Sequence, residues 1–124
     1  MAYIENVWDF YRYMDKIGFL DYGNTMRPHV CIGTPENHVF MSIQASPYHY
    51  CDKQVKFMED NIPYYMEWEI GFPSVQVDEL MRYAENPDDP TSTVYGWVPS
   101  VVIVDIIKRY GGEISLAKVG YVDA

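Results

Sequence analysis

The chain of 124 residues has few cysteines, few basic residues and no long hydrophobic run. Cys31 and Cys51 are its only cysteines, too few for the disulfide framework of a small secreted domain. No stretch reaches the roughly 20 apolar residues that span a bilayer. The first residues do not show the basic and apolar regions of a signal peptide. We therefore expect a cytoplasmic protein with reduced thiols.

Basic residues are outnumbered: 9 Lys and Arg face 18 Asp and Glu, which gives a formal net charge of −9 and a pI near 4.5. Nucleic acids and anionic membranes are bound by dense cationic faces, so this balance argues against direct binding to either. Aromatic residues are abundant instead, at 16% with 12 tyrosines. The 48% share of hydrophobic residues is ordinary for a globular chain, and the length predicts a single domain over residues 1–124.

The spacing of apolar residues predicts both helices and strands. Helical spacing is found over 3–17, 73–84 and 99–110, and the last of these segments is mainly apolar. Alternation predicts a hairpin of 29–33 with 38–46, a strand at 64–72 and an edge strand within 113–122. Residues 52–60 are compatible with either a short helix or a strand. We expect an α+β domain with a mostly antiparallel sheet of about four strands packed with about three helices. If the helix at 99–110 is not fully covered, residues 101–107 offer a contact to a second copy.

The excess negative charge is concentrated in residues 59–89. This window has nine acids and one base, Arg82, whereas the rest of the chain is nearly neutral. Alternation at 64–72 places Glu67 and Glu69 on the solvent side of a strand. We expect these two residues to share one negative surface with the acids and tyrosines around them, namely Tyr65, Asp78, Glu79, Tyr83, Glu85, Asp88 and Asp89.

Such a surface has two interpretations. It can be a solvated face that keeps a small protein soluble. It can also dock onto a basic partner, because carboxylates compete for the Lys and Arg side chains that bind phosphates, and tyrosines supply anchor area. By composition alone, a small, acidic, tyrosine-rich chain resembles phage and mobile-element proteins that neutralise host nucleic-acid enzymes, including anti-CRISPR proteins; no motif carries this resemblance. Docking predicts a non-catalytic inhibitor, without a cofactor, that binds the nucleic-acid-binding surface of a partner protein.

A loop that follows the second hairpin strand predicts an alternative function. It combines aromatic, hydrogen-bonding and titratable groups at Tyr48, His49, Tyr50 and Lys53. Its rings can stack on a base while Lys53 or Arg27 offsets a phosphate, which describes a nucleotide-like small ligand. The loop is equally typical of an interior corner in which tyrosine hydroxyls bind the backbone.

Two His-x-Cys patterns suggest a further alternative, a small zinc- or thiol-dependent enzyme. Residues i and i+2 share one face of a strand, so His29 with Cys31 and His49 with Cys51 could together supply four zinc ligands. Paired zinc ligands are usually spaced further apart, and cysteine is also a common small buried residue. A thiol enzyme would use Cys51 as its nucleophile, without a supporting motif.

Overall fold

A computed structural model of the protein describes residues 1–117. In this range the chain forms one α+β domain with a six-stranded sheet and a separate two-stranded hairpin. The strands of the main sheet are β1 (Ala2–Tyr3), β2 (Val30–Thr34), β3 (Asn37–Gln44), β6 (Glu67–Gly71), β7 (Val94–Pro99) and β8 (Glu113–Leu116). The hairpin consists of β4 (Lys56–Phe57) and β5 (Pro63–Tyr64). The helices are α1 (Val7–Ile17), α2 (Ser100–Arg109) and a 3-10 helix at Asp78–Tyr83.

All neighbouring strands of the main sheet are antiparallel, in the order β1-β8-β2-β3-β6-β7. The predicted fold class is therefore confirmed, but residues 1–117 hold six strands in this sheet rather than about four. The two strands without a prediction are β1 and β7. The strand predicted at the C-terminal end is not an edge, because β8 pairs with both β1 and β2. The predicted continuation of that strand to residue 122 lies outside the described residues.

The hairpin of β2 and β3 follows its predicted alternation. Val30, Ile32, Met41 and Ile43 are all buried on one face of the sheet. Gly33 is required beside the turn, since its φ is 110° and an added Cβ would lie 2.2 Å from the Asn37 carbonyl oxygen. Alternating burial and one obligatory glycine thus set this register.

The α-helices are bounded by local signals. The N-cap Asn6 accepts a hydrogen bond from the Asp9 N–H at 3.0 Å, and α1 ends before Gly18, whose φ is 71°. The helix starts later than predicted because residues 2–3 pair with β8 instead. The apolar face of α2, including Ile103 and Ile107, is buried within the domain.

The core lies between the helices and one face of the sheet. Phe10 of α1 meets Trp68 of β6 edge-on, with their ring centroids 5.2 Å apart. Across residues 1–117, neither α-helix has the length and apolar character needed to cross a bilayer. The opposite face of the sheet, here called the outer face, carries Glu67 and Glu69 of β6.

Candidate protein-binding surface

Residues 46–53, here called the 46–53 loop, leave the end of β3 and are held together from within. The Ser46 Oγ accepts the Tyr48 N–H at 3.1 Å and lies 2.6 Å from the His49 Nδ1. The Lys53 Nζ donates hydrogen bonds to the carbonyls of Pro47 and His49. The loop therefore has a defined shape, as in an ST turn closed by a lysine.

Three contacts fix the 46–53 loop to β6 and β7. Asp52 accepts the Glu67 N–H at 3.1 Å, and the Tyr50 carbonyl accepts the Trp97 N–H at 2.9 Å. The His49 Nε2 lies 3.9 Å from a Glu69 carboxylate oxygen. The aromatic residues of the loop are thus positioned by the sheet, a common way to build binding surfaces.

The buried end of the loop is electrostatically unusual. Burial lowers the pKa of His49, and nearby Arg27 and Lys53 lower it further, while Glu69 opposes them. Burial also raises the pKa of Cys51, whose thiol donates to the Ser46 carbonyl at 3.3 Å. Both groups are therefore favoured in their neutral forms and act as structural parts of the loop.

A stacked aromatic pair stands at the centre of the surface. The rings of Tyr50 and Trp97 have centroids 5.3 Å apart and planes inclined by 25°. The side chains remain 46% and 50% exposed, respectively. Trp97 lies in a β-bulge, where β7 shifts register against β6, and its φ is 53°. A tryptophan rarely adopts this left-handed conformation, so the fold presents the ring at a cost in backbone energy.

A shallow cavity opens beside this pair. It encloses about 360 Å³ and is lined by Tyr50, Tyr83, Glu85, Val94, Gly96 and Trp97. Residues 84–85 run along the edge of β7, with Ala84 bridged to Tyr95 and the Glu85 N–H bound to the Val94 carbonyl at 2.9 Å. Gly96 forms part of the lining because Tyr50 packs over it; an added Cβ would lie 3.2 Å from the Tyr50 Cβ.

Glu85 supplies the charge at the cavity. Within residues 1–117 its carboxylate has neither a hydrogen bond nor an ion pair. The next two acids, Asp88 and Asp89, are exposed in the following loop and equally have unpaired side chains in the described part of the chain. Glu85 therefore lies beside aromatic rings at this edge of the sheet, and the loop after it carries two further exposed carboxylates.

The other predicted acids do not extend this surface into a continuous plate. Glu79 is engaged by Arg109 through two hydrogen bonds, one of them 2.8 Å from Nη2 to Oε1. Glu69 is only 16% exposed beside His49, and Asp78 accepts a hydrogen bond from the Gln76 amide. The neutralising Arg109 lies outside the 59–89 window, which is why the local charge count did not include it.

Of the remaining residues of the predicted surface, only some lie at the cavity. Tyr83 lines the cavity, whereas Tyr65 is half-buried and packs edge-on against Trp68 with centroids 5.8 Å apart. Glu67 is half-buried on the outer face, with its backbone held by Asp52. We therefore centre the candidate surface on Tyr50, Trp97 and Glu85.

The geometry gives little support to a nucleotide-like ligand at the 46–53 loop. Two cations were expected to offset a phosphate. Lys53 donates from its ammonium group to the loop's own carbonyls, and Arg27 is buried, with Nη1 bound to the Ala45 carbonyl. Tyr48 is 81% exposed, and Tyr50 is stacked on Trp97. The cavity beside them is lined by the Glu85 carboxylate and, within residues 1–117, by no cationic side chain.

The zinc hypothesis needs correction, because its four ligands are not brought together. Cys31 lies on β2, paired with Ser115 of β8, whereas Cys51 is buried in the 46–53 loop. In the described part of the chain, no three His, Cys, Asp or Glu side chains are placed to hold one metal ion. His29 and His49 are likewise on separate segments, so the repeated His-x-Cys pattern does not form one site.

The sequence reasoning missed Trp97 and Gly96, and it considered Arg27 only as a partner for a phosphate. The Tyr-Gly-Trp run at 95–97 carried a usable signal, since glycine inside an apolar strand often marks a bulge. Arg27 is 6% exposed and lies against the rings of Phe19 and Trp68, with no sequence pattern that predicts its burial. Comparisons of the chain with protein-family models, with curated proteins and with solved structures found no match.

Proposed function

We propose that the protein is a non-catalytic binding protein that docks its aromatic and acidic surface onto the basic, nucleic-acid-binding surface of a partner protein. One observation carries this proposal: the stacked Tyr50–Trp97 pair is half-exposed, with Trp97 in a left-handed backbone, beside the Glu85 carboxylate, which is unpaired within residues 1–117. Strained, exposed aromatic residues are uncommon unless they serve a function.

The residue types match the energetics of protein interfaces. Tyrosine and tryptophan are the side chains that most often dominate binding free energy when they become buried at the centre of an interface. Tyr48, Tyr50 and Trp97 supply such area without any change in fold. A docking partner would therefore gain most of its affinity from these rings.

The charges select the kind of partner. Glu85, Asp88 and Asp89 are unpaired in the described residues, and the whole chain carries −9. Such a field accelerates the approach of a cationic surface and repels an anionic one. Proteins that bind nucleic acids present Lys and Arg grooves, and a rigid group of carboxylates competes with phosphates for these side chains.

The test compares two charge-reversed variants in affinity capture from a native cell lysate. The site variant carries Glu85→Lys, Asp88→Lys and Asp89→Lys, and the control carries Glu5→Lys, Glu36→Lys and Asp105→Lys. All six acids have no side-chain hydrogen bond or ion pair within residues 1–117, so both variants should fold.

We expect wild type and control to retain the same nucleic-acid-binding protein and the site variant to lose it. The captured protein should elute in 1 M salt, where the Debye length is about 3 Å, and duplex DNA or RNA should displace it. If no captured protein distinguishes the two variants, the proposal fails.

A further inference from the structure

We infer that the cavity at Tyr50, Trp97 and Glu85 receives the guanidinium group of one arginine side chain of the partner. This inference rests on the proposed function and names the chemistry of the central contact. The cavity, at about 360 Å³, lies near the lower end of ligand pockets, which span roughly 300–1,000 Å³. It therefore suits a single side chain better than a helix or a strand.

The lining has the two features that bind a guanidinium. Tyr50, Tyr83 and Trp97 offer aromatic rings, on which a planar, weakly hydrated cation stacks. Glu85 offers a carboxylate, which matches the paired N–H donors of arginine. Among the described residues, no cationic side chain lines the cavity, so none balances the charge of Glu85 there.

The domain already holds one of its own arginines in this way. The Arg109 guanidinium binds the Glu79 carboxylate and lies 4.7 Å from the centroid of the Tyr110 ring. Carboxylate and aromatic ring act together on one cation there. Glu85 with Tyr50 and Trp97 repeats these parts but lacks the arginine.

Arg82 provides a second internal comparison and a natural competitor. Its guanidinium carbon lies 5.6 Å from the centroid of Tyr83, which is a lining ring, and within residues 1–117 Arg82 forms no ion pair. It is exposed and does not line the cavity. A partner arginine would therefore meet repulsion from Arg82, and removing that charge should strengthen binding.

The groove between α1 and the β4–β5 hairpin is larger, at about 600 Å³, and is lined by Asp9, Glu59 and Asp60, but it already contains a basic side chain of the domain itself. Its own Arg12 faces Asp60 at 3.6 Å, so its charge is partly balanced internally. The cavity at Glu85 is the better site for an arginine on this criterion.

The experiment titrates the isotopically labelled full chain with N-acetyl-arginine amide and follows its NMR spectrum. The neutral, nearly isosteric citrulline compound and the lysine compound serve as comparison probes. We expect saturable shifts at the Trp97 indole and the Gly96 amide, with binding at least about tenfold weaker for citrulline. The lysine compound should bind less tightly than arginine because it lacks the planar fork.

Three variants make the outcome decisive. Glu85→Gln should weaken arginine binding about five- to tenfold, Arg82→Gln should strengthen it, and the control Glu36→Gln should leave it unchanged. Equal binding of arginine and citrulline, or wild-type affinity in Glu85→Gln, overturns the inference. If the arginine probe fails while the lysate experiment still separates its two variants, only the arginine assignment is lost and the docking function stands.

Discussion

The His49 imidazole lies 3.9 Å from the Glu69 carboxylate, yet it is better suited to the neutral state than to the charged one. Burial lowers the pKa of His49 from its ordinary value of 6.5, and the attraction of Glu69 does not compensate. Arg27 and Lys53, which lie on separate segments, act in the same direction as burial. The junction between the 46–53 loop and the sheet is therefore sensitive to acid.

We predict that the free energy of unfolding falls as the pH decreases from 7 to 5.5. The unfolded chain takes up a proton on histidine near pH 6.5, whereas the folded His49 resists protonation, so stability is present above this pH and lost below it. Urea titrations at several pH values across this range measure the slope of the unfolding free energy against pH. His49→Asn should flatten it and His29→Asn should not; an equal slope in wild type and His49→Asn contradicts the prediction.

A second prediction concerns the buried charge of Arg27. The Nη1 atom donates to the Ala45 carbonyl at 2.8 Å, whereas Nε has no hydrogen-bond partner in the described residues. The guanidinium carbon lies 4.5 Å from the Phe19 ring centroid and 5.2 Å from that of Trp68. A lysine would keep the charge but lose the planar stacking, and a methionine would fill the space without a charge.

We therefore expect Arg27→Lys to destabilise the fold by about 2 kcal/mol and Arg27→Met to be the milder substitution. Chemical denaturation of both variants gives the ranking. The backbone of Arg27 is held by Gln44 in either case, through hydrogen bonds of 2.7 and 2.8 Å. A lysine variant as stable as wild type, with methionine the more damaging change, would show that the charge rather than the ring contacts matters.

The Glu79–Arg109 pair predicts a modest coupling. Arg109 holds the pKa of Glu79 below its usual 4.5, and both side chains are partly exposed. A double-mutant cycle with Glu79→Gln and Arg109→Met should give a coupling free energy of about 0.5–1 kcal/mol at neutral pH. Because the pKa of Glu79 is lowered in the fold, this contribution is present above about pH 4.5 and disappears as the pH falls further. A coupling that persists undiminished at pH 2 is the contrary result.

The left-handed backbone of Trp97 predicts an unusual order of substitutions. Asparagine tolerates a φ near 53°, whereas β-branched valine does not, so Trp97→Asn should be more stable than Trp97→Val by about 1–2 kcal/mol. Phe57 is a matched control, since it is exposed on β4 and does not have a positive φ. At this position the Phe57→Val variant should be more stable than the Phe57→Asn variant, as in ordinary strands. Thermal unfolding of the four variants compares both orders; the same order at the two positions is evidence against strain at Trp97.

The parts of the fold that sequence reasoning predicted depend on local periodicity. The apolar alternation of β3 and the helical stripe of α2 are visible in the sequence because each element buries one continuous face. The strand β7 was missed since Gly96 and Trp97 form a bulge that breaks the alternation. The predicted helix at 73–84 is reduced to a 3-10 helix at Asp78–Tyr83, although its central Leu80 is buried as expected.

The candidate site was harder to predict because its acids are paired or covered by residues that are distant in the sequence. Arg109 reaches Glu79 from a different helix, and the 46–53 loop covers Glu69 from another part of the chain. Neither contact leaves a local pattern. The acids at 85, 88 and 89 are evident in the sequence, but the position of Glu85 beside Trp97 depends on β7, which was not predicted.

The internal bonds of Lys53 and Ser46 have a consequence for recognition. They hold the backbone of the loop, and the stack on Trp97 holds the Tyr50 ring, before a partner arrives. Immobilising a side chain at an interface costs about 0.5–1.5 kcal/mol, and a preorganised loop avoids much of that loss. A small contact area can then still give firm binding, and a partner whose shape does not match the stacked rings of Tyr50 and Trp97 should bind less tightly.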